Sequence, residues 1–286
     1  MHYPVLLPET MEWMNIQAGG VYADLTCGMG SHTRALAERA APGMVYAVDR
    51  DAESLAMARA NLADGPQNIE FIHAAFSEAP RVLRERGVGK LDGLTADLGV
   101  SRVQLTGQRG FSFSTDGPLD MRLDASQGFT AAELVNQLPE RELANLLFNL
   151  AQERRSYVIA RALVRNRPIY SSLQLAEIVS RSVPRTSHKL HPATLTFMAL
   201  RMAVNQELDE ITALMEALPE LLKPGARAAV IAFHSGEAKI VKTYFQRLHK
   251  EGRAQLLTKH AVKPTDREVF ENSASRSATL RVLELL

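Results

Sequence analysis

Within its first hundred residues the chain alternates short β-branched runs with amphipathic helical patterns. This rhythm limits the folds open to it more than any other feature. Residues 21–26 (VYADLT) read as a strand, followed by the glycine-bearing turn 27–30 and a helix over 31–40, with Ser31 placed to cap it. Residues 44–49 (MVYAVD) form the next strand and 51–63 the next helix. Residues 69–74 and 91–97 are two more strands, with a short helix near 77–86 between them. A helix between consecutive strands returns the chain to the same end of the sheet. The spacing therefore predicts a parallel sheet with right-handed crossovers.

The rhythm breaks after residue 98. Residues 99–124 are rich in Gly, Ser and Asp and read as a long ordered loop. From 130 to about 201 the pattern is helical, over 131–138, 140–149, 154–165, 172–182 and 192–204, with no competing strand signal. A long helix over 205–222 ends at Lys223-Pro224-Gly225, a strand follows over 228–233, and a helix over 236–250. In the tail, 278–285 is the clearest strand and is expected to add an antiparallel pair at the sheet edge. The expected fold class is α/β: a mostly parallel, Rossmann-like sheet with an inserted all-helical domain. Residues 1–108 and 205–286 make the discontinuous sheet domain, and 109–204 the loop and helical insertion.

A single cysteine, Cys27, excludes an intrachain disulfide and a cysteine-based zinc cage, so no metal site is expected. No apolar run reaches membrane-spanning length, the N-terminal stretch lacks a charged-then-apolar signal, and a reducing cytoplasm is the plain reading. The formal net charge of +1 conceals a segregation. Residues 1–100 carry 8 Lys/Arg against 13 Asp/Glu, whereas 151–201 carry 9 against 2 and 239–286 carry 10 against 5. Two separate basic stretches beside an acidic body point towards a polyanion such as nucleic acid, although solvated helix faces can also share a sign.

Gly28 and Gly30 lie in the turn after the first strand, where glycine lets backbone approach a ligand. Asp49 ends the second strand, where a carboxylate can accept from both ribose hydroxyls, and Asp97 ends the fourth on the rim where open α/β sheets bind ligands. Either carboxylate could instead be a strand-end cap. The dinucleotide fingerprint wants a third glycine where this chain has Thr33. That disfavours a nicotinamide dehydrogenase and favours S-adenosylmethionine, which has no pyrophosphate to cradle.

Several strings then stand in register: HYPVLLPE at 2–9, DLTCGMGSHT at 24–33, DLGVSRVQL at 97–105 and RGFSFSTDGPLDMR at 109–122. HPATLTFMALRMAVNQEL at 191–208, AFHSGEAKIVK at 232–242 and SRSATLR at 275–281 complete the set. Together they resemble the bacterial 16S ribosomal RNA cytosine-N4 methyltransferase family, known as RsmH or MraW. The resemblance implies a class I methyltransferase domain interrupted by a helical domain. It also implies a cofactor set at Gly30, Ser31, His32, Asp49, Phe76, Asp97 and Gln104, beside Gly28, with Phe76 packing against adenine. The chain departs from the family at FHSGEAK, which stands where FHS-Leu-Glu-Asp-Arg is usual, and at Ser156-Tyr157, where basic residues are typical.

Methyl transfer to a cytidine N4 amine needs an acceptor for an N–H and a route for the proton. Asp120, His234 and Asp116 are the candidates, each of which could equally serve a turn or a strand end. A target base must leave its stack or lie in a single strand, with Phe111, Phe113 and Phe197 available either for stacking or for a core. Phosphates would meet Arg154, Arg155, Arg161, Arg165, Lys189 and Arg201 of the insertion, and Lys239 and Lys242 of the later helix. The expected partner is 16S ribosomal RNA within the 30S subunit, with a homodimer left open. Two rival readings are a non-catalytic ribosome-assembly factor that keeps the fold and a methyltransferase for another RNA or a protein.

Overall fold

The computed structural model of the protein describes residues 4–126, 128–183 and 191–286. In chain order the first elements are α1 (Leu7–Met14), β1 (Val21–Asp24), α2 (Ser31–Ala40), β2 (Met44–Asp49), α3 (Ala52–Asn61) and β3 (Ile69–His73). A 3-10 turn (Phe76–Glu78), α4 (Ala79–Glu85) and β4 (Leu91–Asp97) follow. Next come the helices α5 (Arg102–Thr106), α6 (Ala131–Gln137), α7 (Glu140–Ala151), α8 (Ser156–Arg165), α9 (Ser172–Ser182) and α10 (Thr194–Asn205). The chain closes with α11 (Glu207–Leu221), β5 (Leu222–Ala232), α12 (Ser235–Lys250), β6 (Ala254–Leu256), α13 (Asp266–Glu271) and β7 (Thr279–Leu285).

The chain divides into two compact units, one running up to Gly99 and resuming at Leu208–Leu286, the other Val100–Glu207. Residues 100–108 and 205–207, grouped with the sheet by sequence pattern, fall in the helical unit. Side-chain bonding accounts for part of this. Asn205 accepts the Leu123 N–H at 2.7 Å and donates to the Met121 carbonyl at 2.8 Å, and Glu207 holds Arg201.

The sheet has seven strands in the order β3-β2-β1-β4-β5-β7-β6. β1 to β5 run parallel, while β7 is antiparallel to β5 and β6 to β7, so the tail does supply the expected antiparallel edge. Along β5 successive residues serve opposite faces. Ala228, Val230 and Ala232 pack with Ile211, Leu214 and Leu218 of α11 and with Val241, Phe245 and Leu248 of α12. Ala229 and Ile231 pack instead with Tyr22, Leu36, Val45, Leu280 and the α1 residues Met11 and Met14. Burial on both faces explains why these strands read as continuous apolar runs. Strand order reverses between β1 and β4, and ligands of open α/β sheets lie at that point, beyond the carboxyl ends.

Some elements differ from expectation. α1 had no sequence signal, being eight residues long and opened by Pro8. Lys223-Pro224-Gly225 does not simply end α11, because the strand begins at Leu222 and passes a register shift opposite Leu91 and Gly93. Lys223 Nζ pairs there with Asp92 at 2.9 Å.

In the helical unit the core gathers Leu143 and Leu147 of α7, Ile159 and Leu163 of α8, Leu175 and Val179 of α9, and Ala199 and Leu200 of α10. Thr130 and Ser171 cap α6 and α9. The loop before α6 is pinned. Arg109 donates to the Arg122 and Leu123 carbonyls at 3.0 and 2.9 Å, and Gly110 (φ +73°) brings its Cα so near Pro118 that an added Cβ would lie 2.4 Å from the Pro118 oxygen. Within the stretch expected to be loop, α5 forms because Ser101 and Gln104 cap each other reciprocally. No described helix is long and apolar enough to cross a membrane.

Candidate active site

The turn after β1 is built on two left-handed glycines. Gly28 sits at φ +51° and Gly30 at φ +88°, where an L side chain is strained. Gly30, not Ser31, is the N-cap of α2, and an alanine Cβ there would lie 2.8 Å from Leu62 Cδ1. Ser31 becomes the first helical residue, half-buried, with His32 buried behind it. Thr33, notable in the sequence only as an absent glycine, is fully buried and donates to Asp24 Oδ2 at 2.6 Å.

Asp49 closes β2 and ties this turn to the next. Its Oδ2 accepts the Gly28 N–H and its Oδ1 the Asp51 N–H, both at 2.8 Å. Burial pushes its carboxyl up to about 6, against those two hydrogen bonds, with the charges of Asp51 and Asp24 adding to the rise. Asp51 caps α3 through Glu53 N–H and the Ser54 hydroxyl.

Asp97 ends β4 next to β1, and its N–H donates to Thr26 Oγ1 at 2.6 Å. Its Oδ1 is buried and has no hydrogen-bond partner among the described residues. Burial, and then the carboxylates of Asp24, Glu237 and Glu268, hold its pKa well above the ordinary range. Glu268 comes from α13, where its Oε1 accepts the Leu6 N–H at 2.8 Å, and burial raises its pKa as well. Phe76 opens the 3-10 turn after β3, half-buried against the sheet core.

His234 stands at the N-terminus of α12. Its Nδ1 accepts from Gly236 N–H at 3.2 Å and Glu237 N–H at 3.5 Å, and Nε2 lies 3.1 Å from Glu237 Oε1. In the neutral ring the proton therefore sits on Nε2, and the acceptor nitrogen is already engaged in capping. Glu237, fully buried, returns the contact by accepting the Phe233 and His234 N–H groups. An open cavity of about 480 Å³ also adjoins the glycine turn, lined by Met29, Gly30, Ser31, Arg34 and Leu62 among others, but neither Asp49 nor Asp97 lines it.

Most of the remaining candidates belong to the helical unit. Asp120 is held in a two-pronged pair by Arg122, Nε to Oδ1 at 2.7 Å and Nη2 to Oδ2 at 2.8 Å. Although burial opposes it, the Arg122 guanidinium holds the Asp120 carboxyl below its usual range. Asp116 is exposed and accepts the Gly117 N–H. Gln104 is buried, its amide oxygen capping Ser101 N–H at 2.8 Å. Phe111 and Phe197 are core residues, while Phe113 stacks on His191 at 4.4 Å. Arg154, Arg161 and Arg165 are exposed and Arg155 is half-buried. Arg201 is committed to Glu207 through two bonds of 2.8 and 2.9 Å. Lys239 and Lys242 are exposed on α12, and Lys189 lies outside the described residues. The sequence did not single out Asp24, Thr26, Glu237 and Glu268 as site residues, and it marked Thr33 only as an absent glycine. Asp24 ends β1, two residues earlier than the strand expected over 21–26.

The model of the MraW methylase family matches residues 1–286, the whole chain. The chain belongs to the MraW methylase family. A relative from Solibacter usitatus (strain Ellin6076), named ribosomal RNA small subunit methyltransferase H, is 51% identical over 286 residues, covering 100% of both chains. Another of that name from Syntrophobacter fumaroxidans is 43% identical, covering 99% of this chain and 96% of its own. Among solved structures, an rRNA methylase from Streptococcus thermophilus is 13% identical at a TM-score of 0.48, over 100% of this chain and 99% of that one, too loose a likeness to add to the MraW assignment.

Proposed function

We propose that this MraW methylase transfers a methyl group from S-adenosylmethionine to the N4 amine of a cytidine in 16S ribosomal RNA, within the small ribosomal subunit of the cytoplasm. The observation that carries the reading is Asp97 Oδ1, a buried carboxylate oxygen without a partner at the switch point of the sheet. Such an atom is costly unless a donor or a cation from outside the chain meets it. The methyl donor suits these residues. Asp49 keeps lone pairs for ribose hydroxyls, Phe76 offers a ring to adenine, and Gly30, Ser31 and His32 bring the N-terminus of α2 to a carboxylate. When bound, S-adenosylmethionine supplies an activated methyl group on a positively charged sulfur, which the carboxylates around Asp97 favour over a neutral thioether.

For the amine, Asp97 is the acceptor we assign. His234 already uses its acceptor nitrogen on α12, and both Asp120 oxygens are held by Arg122. We therefore place His234 and Asp120 as positioning residues, and Asp116 in its turn. Asp97 aligns the N–H and stabilises the positive charge that develops on the amine as the methyl group leaves the sulfur. It then accepts the amine proton released to give the neutral product. Phosphates fall to exposed cations without an ionic partner among the described residues, Arg154, Arg165, Lys239 and Lys242. Incubation with methyl-labelled donor and undermethylated small subunits tests the reading. The parental protein is expected to label their RNA, and Asp97→Asn to bind donor but label at least about 100-fold more slowly. Label on protein alone would overturn the substrate.

A further inference from the structure

α7 and α8 form a hairpin joined by residues 152–155, so the two helices run antiparallel against each other. On α7, Leu143, Ala144, Leu147 and Ala151 are buried. The opposite stripe, Arg141, Asn145, Phe148 and Gln152, steps by three and four residues and is exposed throughout. On α8 the outward residues are Tyr157, Val158, Arg161 and Arg165, with Arg154 just ahead of the helix. Two contacts cross between the helices and align the stripes. Tyr157 Oη lies 3.5 Å from Asn145 Oδ1, and Arg161 Nε lies 3.2 Å from Glu140 Oε1. The first draws Tyr157 towards the Asn145–Phe148 stripe.

Tyr157 is 55% exposed and Phe148, one helical turn beyond the Asn145 that Tyr157 bonds, is 47% exposed, so two aromatic side chains of this hairpin stand on a surface where they serve no core. Along the same hairpin are Arg141, Arg154 and Arg165, exposed and with no ionic partner among the described residues, and Arg161, which shares Glu140. Glu142 is the other exposed acid, which leaves the face net positive. Aromatic rings interleaved with arginines match a single strand of RNA, whose bases offer π-faces and whose phosphates need cations. Protein interfaces also favour Tyr, Phe and Arg but are depleted in charge at their centre, so the excess of arginines on this face is what favours a polyanion.

We propose that the outer face of α7 and α8 is a stacking platform for unpaired bases of the RNA substrate. Tyr157 and Phe148 receive bases, and Arg141, Arg154, Arg161 and Arg165 hold the strand. The proposal rests on the RNA reading above and adds to it a binding surface that acts by stacking as well as by charge.

The test measures binding of the full-length protein to a single-stranded ribo-oligonucleotide at several salt concentrations. Tyr157→Ala and Phe148→Ala are each expected to weaken binding by about 5- to 100-fold with an unchanged salt slope. Tyr157→Phe should bind as the parent does, and Tyr157→Leu, apolar but without a π-face, should bind as weakly as alanine. Arg154→Gln and Arg165→Gln should each flatten the log–log salt slope by about 0.7. Both aromatic positions are exposed, so unchanged thermal melting will show that these variants fold. Salt-steep binding that ignores Tyr157 and Phe148 overturns the platform alone. A parent that binds no RNA even at low salt overturns the RNA reading and the platform with it. Loss confined to intact small subunits, and absent with every oligonucleotide, would assign the face to a ribosomal protein instead.

Discussion

Asp49 makes donor binding depend on pH in a way that can be worked out in advance. Burial pushes its carboxyl up to about 6, so the free protein is largely protonated there below that pH. Ribose hydroxyls are held best by the ionised form, and binding therefore selects it. At pH 5 only about one molecule in eleven is ionised, so the apparent Kd should be about tenfold weaker than its value at pH 7.5. The sign for stability is opposite. A carboxyl raised in the folded state binds its proton more tightly there than when unfolded. The stability linked to Asp49 is thus full below about 3.8 and is lost as pH rises through about 6, a loss of roughly 3 kcal/mol. Calorimetry with adenosine, which lacks the amino-acid end of the donor, isolates this residue. Adenosine affinity should rise tenfold between pH 5 and pH 7, level off above, and lose that dependence in Asp49→Asn. A flat profile in the parent, or an unchanged profile in the variant, refutes the reasoning.

Other changes follow from the same geometry. Gly30→Ala, forced into φ +88° with its Cβ against Leu62, should cost about 1–2 kcal/mol in chemical denaturation and weaken donor binding in parallel. Asp97→Asn removes a carboxyl whose ionisation burial and the carboxylates of Asp24, Glu237 and Glu268 disfavour, so its thermal melting point should equal or exceed the parent's while single-turnover transfer collapses. Leu36→Ala, in a fully buried position, should cost about 2–5 kcal/mol by urea denaturation. If Arg154, Arg165, Lys239 and Lys242 are the phosphate contacts, raising salt from about 50 to 200 mM should reduce RNA affinity on the order of 50-fold in a filter-binding titration.

The strand ends at Asp49 and Asp97 were legible because each acid stops a continuous apolar run, and the structure ends β2 and β4 at those residues. The α2 cap was not. Ser31 is the better capping residue by type, but the turn needs a left-handed residue at the cap, and Gly30 supplies it. α1 and α5 are too short to show a period, and their ends are set by Pro8 and by the Ser101–Gln104 pair. Pairings between distant residues left no trace in the sequence. The bond from Leu6 N–H to Glu268 spans 262 positions, and nothing in FHSGEAK announces that His234 directs its acceptor nitrogen at its own helix. Thr33 was informative for the wrong reason. Its absence of a glycine argued about the cofactor, while its hydroxyl fixes Asp24 beneath the turn.

The most direct test is nucleoside mass spectrometry of small-subunit RNA, taken from cells lacking this protein and incubated with purified protein and S-adenosylmethionine. One cytidine is expected to gain a methyl group on its exocyclic nitrogen, and to gain none with Asp97→Asn. A methyl group on carbon or ribose, or RNA left unchanged by a protein that has bound its donor, would contradict the account.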